Sequence, residues 1–158
     1  MWDMIEKYND AAKASGARIV HSCGFDSIPF DMGVYFLQQE AQKRFGAPLK
    51  DVKGRVRGMK GTFSGGTAAS GKETMKLAMG DPDVMKRLVS SFALTPGFEG
   101  PTQPYGNKPY EDPDFGIWVA PFVMASINTK NVHRSNMLMG HPYGCLLYTS
   151  PSPRDRSI

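Results

Sequence analysis

Between Arg18 and Gly46 the chain changes character twice, and few folds tolerate both changes. Arg18-Ile19-Val20-His21-Ser22 reads as a short buried strand. Cys23-Gly24-Phe25-Asp26-Ser27-Ile28-Pro29 then breaks that pattern, and apolar residues recur at helical spacing as far as Phe45. Val34, Leu37 and Ala41 make the apolar stripe, with Met32 and Phe36 beside it. Gln38, Gln39, Gln42, Lys43 and Arg44 read as the wet face. Asp26 or Ser27 suits the N-cap, and Pro29 the first turn, where a missing N–H costs nothing. Gly46 closes the helix and Pro48 prevents its resumption. In open α/β sheets, the loop between a strand's C-terminal end and the next helix is where ligands bind. Free N–H groups at the helix start would favour an anionic or carbonyl group there. Asp26 and Asp31 are candidates to position a hydroxyl or an amide, and Ser27 to donate to a phosphate or carbonyl oxygen. Asp26 and Ser27 serve equally well as ordinary helix caps.

The flanking sequence extends this unit. Trp2, Ile5, Tyr8 and Ala12 predict a helix over 1–15, closed by Gly16. A helix followed by a buried strand is half of a βαβ unit, whose first strand would lie upstream of Met1. Residues 47–51 form a connector at which a domain boundary is placed. Val52 to Phe63 alternates basic residues with small or apolar ones and predicts a strand with one wet face. The glycine-rich turn Thr62-Phe63-Ser64-Gly65-Gly66-Thr67 follows, then a helix to Met79, which Gly71 weakens. Asp81-Pro82 starts another helix carrying Val84, Leu88 and Phe92. Leu94 to Phe115, with five prolines and little periodicity, predicts a long loop. The apolar segment Phe122-Val123-Met124-Ala125 leads to a second short helical stretch with His133, Arg134 and Asn136. From Cys145 onward, Leu-Leu-Tyr-Thr-Ser-Pro-Ser-Pro-Arg-Asp-Arg-Ser-Ile has no periodicity and resembles translated sequencing-adapter text. The expected parts are therefore 1–46, 47–144 and an unstructured, non-native tail over 145–158.

Composition narrows the function classes. With 41% hydrophobic and 22% charged residues, 158 residues suit a globular chain of about one domain. Nineteen basic against fifteen acidic residues give a net charge of +4. The basic residues are scattered among acids with no aromatic interleaving, so they read as a solvated face and no nucleic-acid partner is expected. Two cysteines cannot build a disulfide framework, which points to a reducing, cytoplasmic setting. The longest apolar run, Ile117 to Ile127, is too short to span a bilayer, and peripheral membrane attachment stays open. His21, His133 and His141 lack ligand spacing, so no metal site is expected. His21 and Cys23 read as core residues. Lys130, His133 and Arg134 share one helical face, suited to an anionic substrate or simply to solvent.

Two other readings come from single motifs. Gly66-Thr67-Ala68-Ala69-Ser70-Gly71-Lys72 matches most of a phosphate-binding P-loop, but Glu73 stands where the chemistry needs a hydroxyl for magnesium. A non-catalytic basic interaction domain is the remaining alternative.

The run Ile19 to Gly33, centred on Cys23-Gly24-Phe25-Asp26-Ser27-Ile28-Pro29, closely resembles the signature of saccharopine-dehydrogenase-like oxidoreductases, a group that includes trans-acting enoyl reductases of glycolipid synthesis. Lys60-Gly61-Thr62-Phe63-Ser64-Gly65-Gly66-Thr67, Pro121 to Ala125, Asn128-Thr129 and Arg134-Ser135-Asn136 resemble the same group, in order, across about residues 1–144. The resemblance implies an α/β chain: the C-terminal part of a Rossmann-type domain followed by part of an α+β second domain. It implies NAD or NADP as cofactor and a lipid-type or other small organic substrate. Gly24, Phe25, Asp26 and Ser27 become cofactor-side candidates, and Ser64, Gly65, Gly66 and Thr67 substrate-side candidates. The family's Gly-x-Gly-x-x-Gly turn matches no position in the 158 residues, so the segment by itself is expected to be an inactive fragment that holds a dinucleotide poorly.

Overall fold

A computed structural model describes residues 1–56, 58, 64–103, 108–143 and the backbone of 146–148. Five helices and four three-residue strands occur among these residues: α1 (Trp2–Ser15), α2 (Ile28–Phe45), β1 (Asp51–Lys53), α3 (Gly65–Gly80), α4 (Pro82–Val89), β2 (Tyr110–Asp112), β3 (Ile117–Val119), α5 (Ala125–Leu138) and β4 (Leu146–Tyr148). β1 pairs in parallel with β4, Val52 opposite Leu147. β2 and β3 form an antiparallel hairpin with Glu111 opposite Trp118. The architecture is mixed α/β, in two strand pairs; the described residues include no larger parallel sheet of the Rossmann kind.

The helices follow the sequence pattern closely. Gly16 and Gly46 end α1 and α2 in the left-handed region, φ 72° and 69°, as their missing side chains allow. The first turn of α1 is tied to α4, where the Arg87 guanidinium lies 3.5 Å from the centre of the Trp2 ring and 3.3 Å from Asp3. Asp81 caps α4 by accepting from the Asp83 N–H at 2.8 Å. On α2 the inward face differs from the expected stripe: Val34 and Ala41 are buried, but Leu37 is exposed and Gln38 takes its place inside. The Gln38 amide explains the exchange. Its Nε2 donates to the Leu49 carbonyl at 3.1 Å and its Oε1 accepts from the Leu49 N–H at 2.8 Å, so the connector's backbone is satisfied by a side chain. Val34, Val52, Val132 and Tyr143 form the core between α2, β1 and α5, with Leu49 packed on its edge.

Four expectations are corrected. Residues 18–22 are not a strand: no strand pairs with them among the described residues, and Ile19 and Val20 stand 63% and 74% exposed. Ser22 also has φ 57°, which breaks an extended run. His21 and Cys23 are consequently exposed rather than part of a core. The strand expected over Val52–Phe63 is described only as Asp51–Lys53; residues 57 and 59–63 lie outside the described residues. The loop expected over Leu94–Phe115 ends in β2, because an antiparallel partner, β3, begins five residues beyond Asp112. Within the expected tail, the backbone of residues 146–148 pairs as β4, while 145 and 149–158 lie outside the described residues.

Candidate functional site

The turn before α2 closes on itself. The amides of Ser27 and Ile28 both donate to the Gly24 carbonyl, at 3.1 and 3.0 Å, and those of Phe30 and Asp31 donate to Ser27 O at 3.1 Å. The helix-start donors expected to greet an anion are therefore already used. Ser27 is the N-cap by position, buried, and makes no side-chain cap bond. A Cβ on Gly24 would collide with Asp26 Oδ1, so the carboxylate folds back over the glycine. From α5, the Asn128 side chain donates to the Asp26 carbonyl at 2.9 Å and is itself 1% exposed, clamping the turn to the core.

This turn borders a cleft of about 500 Å³. Phe25, Asp26 and Phe30 line one side; Lys53, Gly54, Arg55 and Val56 line the other. Phe30 stacks on Phe122 with ring centres 5.4 Å apart and planes 25° apart. The cleft thus lies between the α2 unit and β1 with the residues that follow it, and its walls are mainly apolar.

Its cations differ in how far they are committed. Arg55 donates through Nε to Asp112 at 2.6 Å, through Nη1 to the Gly54 carbonyl at 3.1 Å and through Nη2 to Tyr110 Oη at 3.1 Å. Asp112 is fully buried. Burial pushes its carboxyl up, but Arg55, the Asp114 N–H and Lys53 together pull it below the usual carboxylate range. Lys53 pairs with Asp114 at 2.8 Å, which raises its ammonium, and that contact uses one of three N–H donors.

The other candidates lie apart. Ser64 caps α3 by accepting from the Thr67 N–H at 3.2 Å, with the two hydroxyls 3.0 Å from each other. Ser64, Gly65, Gly66 and Thr67 are exposed and do not line this cleft. Residues 66–72 are helical within α3, so from Ala68 on their N–H groups serve the helix ladder; a P-loop needs them turned toward phosphate. Lys130 and Arg134 donate to the carbonyls of Leu88 and Leu94, at 2.7 and 3.0 Å, binding α5 to α4 and the segment after it rather than presenting an anion site. Asp31 accepts from Ser135 at 2.8 Å in a second, partly buried position, where burial raises its pKa more than the Ser135 bond lowers it. Sequence reasoning met Phe30, Phe122 and Asn128 only within family-like motifs, and Lys53 and Arg55 only as the wet face of a strand, and gave none of them a role.

With this geometry, the class the chain resembles is a group of reductases. No family model matches it, and no solved structure is significantly similar. A Mycobacterium tuberculosis protein provisionally named a trans-acting enoyl reductase is 41% identical over 152 residues, 91% of this chain. Proteins named trans-acting enoyl reductase from Mycobacterium bovis and Mycobacterium ulcerans are 35% and 33% identical over 149 residues, 89% of the chain. The chain spans 36% of the length of each of these relatives. Among the described residues, no helix is long and apolar enough to cross a membrane.

Proposed function

We propose that the chain is part of an NAD(P)-dependent oxidoreductase of the saccharopine-dehydrogenase-like type that reduces an enoyl group on a lipid-type or other small organic substrate. Gly24, Phe25, Asp26 and Ser27 would lie on the cofactor side. The carrying observation is the cleft of about 500 Å³ that joins their turn to Lys53 and Arg55. The names of the relatives support the reaction class.

The residues fit one end of such a cofactor and not the other. The amides of Ser27, Ile28, Phe30 and Asp31 are spent on the Gly24 and Ser27 carbonyls and Asp26 is acidic, so the start of α2 does not suit a pyrophosphate. Flat apolar rings at Phe25, Phe30 and Phe122, with a carboxylate able to accept from a carboxamide, suit the nicotinamide end. When bound, the reduced nicotinamide supplies hydride; the protein's share is orientation and electrostatics. Lys53, with donors to spare, is suited to hold a substrate carbonyl oxygen as negative charge develops on it, and Asp114 keeps it in place. Arg55 spends three of its five N–H donors on Asp112, Gly54 and Tyr110 and holds the wall. A substrate-side role for Ser64, Gly65, Gly66 and Thr67 is a separate proposal resting on the family resemblance. A cytoplasmic setting, with peripheral membrane contact, belongs to the same reading.

The test is a protein of the relatives' full length, given trans-enoyl thioesters and NADH or NADPH deuterated on the nicotinamide ring. Mass spectrometry should find deuterium at the β carbon of the product. No transfer from either cofactor to any enoyl thioester would overturn the reading.

A further inference from the structure

We propose that the Lys53 ammonium is the acid that gives the enoyl Cα its proton, on the face opposite the incoming hydride, so that the two hydrogens add anti across the double bond. This rests on the reductase reading above and adds the source of the second hydrogen and the stereochemistry. Reducing a conjugated enoyl group takes a hydride at Cβ and a proton at Cα, and the proton needs a positioned acid. Among the described residues lining the cleft, three have ionisable side chains: Asp26, Lys53 and Arg55. Arg55 stays charged in proteins and gives up no proton. Asp26 belongs to the turn, and its carboxylate is folded back over Gly24. Lys53 is left, on the wall across from the turn. Of its three N–H donors one is held by Asp114 and one is assigned above to the carbonyl oxygen, which leaves one for Cα. The slot is narrow where Gly54 faces Phe30: a Cβ on Gly54 would come within 3.1 Å of two carbons of that ring. A flat group held there turns one face to the turn and its rings, the hydride side, and the other to β1 and the residues after it. Asp114 lies 2.8 Å from Nζ and is itself fixed by its N–H on Asp112 Oδ1 at 2.9 Å. Its side chain is 49% exposed, so water reaches the pair. As hydride bonds to Cβ, the C=C π pair shifts toward Cα and the carbonyl. Cα then takes the proton from Nζ, the N–H bonding pair stays on nitrogen as a neutral amine, and water returns a proton through Asp114. An ammonium is a far stronger acid than the α C–H of a thioester, so the transfer runs downhill.

The test uses the protein of the relatives' full length. In D2O, with NADH or NADPH deuterated at the transferring ring carbon, a trans-enoyl thioester should give the erythro-2,3-dideuterio product alone, read from NMR coupling constants. Threo product needs both hydrogens on one face; it, or a mixture from the native protein, would overturn the proposal and leave the reductase reading standing. Lys53→Arg keeps the cation without a usable acid. It should lower turnover by about 10²–10⁴-fold and make Cα stereorandom while Cβ stays single. Erythro product undiminished in that variant would take the role from Lys53. A readout without reductant comes from acetoacetyl thioester, whose enolate absorbs in the near ultraviolet and mimics the charge that forms at the carbonyl. The native protein and Lys53→Arg should raise that band on binding, and Lys53→Gln should not; a band raised equally by all three would also remove Lys53. No hydride transfer to any enoyl thioester would remove the reductase reading, and the proton step with it.

Discussion

His133 is 4% exposed, its ring centre lies 4.3 Å from that of Phe92, and its Nε2 has no hydrogen-bond partner. Burial disfavours the imidazolium and pushes its pKa down from 6.5 to about 4. The unfolded chain therefore binds a proton that the folded chain refuses between these values, and stability falls as pH drops from 6.5 toward 4. The loss approaches roughly 3 kcal/mol at the acid end of that window. Urea midpoints measured across it should decline for the native chain and stay nearly level for His133→Phe. Gln38 carries a second expectation. Gln38→Ala leaves both backbone groups of Leu49 unpaired in a part-buried setting and should cost about 1–3 kcal/mol by denaturant titration. An unchanged midpoint would show that water replaces the amide. Neither role was legible in the sequence. A glutamine amid Gln39 and Gln42 looks like wet surface until the Leu49 backbone is seen against it, and a lone histidine carries no sign of burial.

Helices were legible and strands largely were not, and the reason is where their hydrogen bonds close. The limits of α1, α2 and α4 depend on local groups: an αL glycine at 16 and 46, a proline in the first turn at 29 and 82, an aspartate cap at 81. A strand depends on a partner elsewhere in the chain. Residues 18–22 have the right composition but no strand beside them among the described residues, whereas Tyr110–Asp112 sits in a proline-rich stretch and gains its pairing from β3. The hairpin is held to β1's extension by the Arg55–Asp112 pair, with side chains 11% and 0% exposed. Arg55→Met would strand a buried carboxylate and should cost about 3–5 kcal/mol. A thermal melt showing less than about 1 kcal/mol of loss would mean that Asp112 takes up a proton or reaches water. Because Arg55 lines the cleft, the same variant should also weaken substrate binding at full length.

At the scale of the molecule, the candidate site was half legible. The sequence placed attention on the Gly24–Ser27 turn, and the structure sets that turn on a cleft bounded across the way by Lys53 to Val56. It could not show that the turn's amides close on Gly24 and Ser27 carbonyls, because that depends on the backbone path through residues 22–31. Nor could it show Phe122 meeting Phe30, ninety-two positions apart in sequence and 5.4 Å apart in space. The segment spans 36% of its relatives' length, so the binding test belongs to a protein of that full length. The most direct measurement is a fluorescence titration of NADH and NADPH into the full-length protein and into its Phe25→Ala variant. Phe25 is 77% exposed, so its removal should leave the melting temperature alone. We expect saturable binding, weakened about tenfold by the substitution, the scale of one lost aromatic contact. Absence of binding by the native protein, or binding indifferent to Phe25, would contradict a cofactor ring seated against this turn.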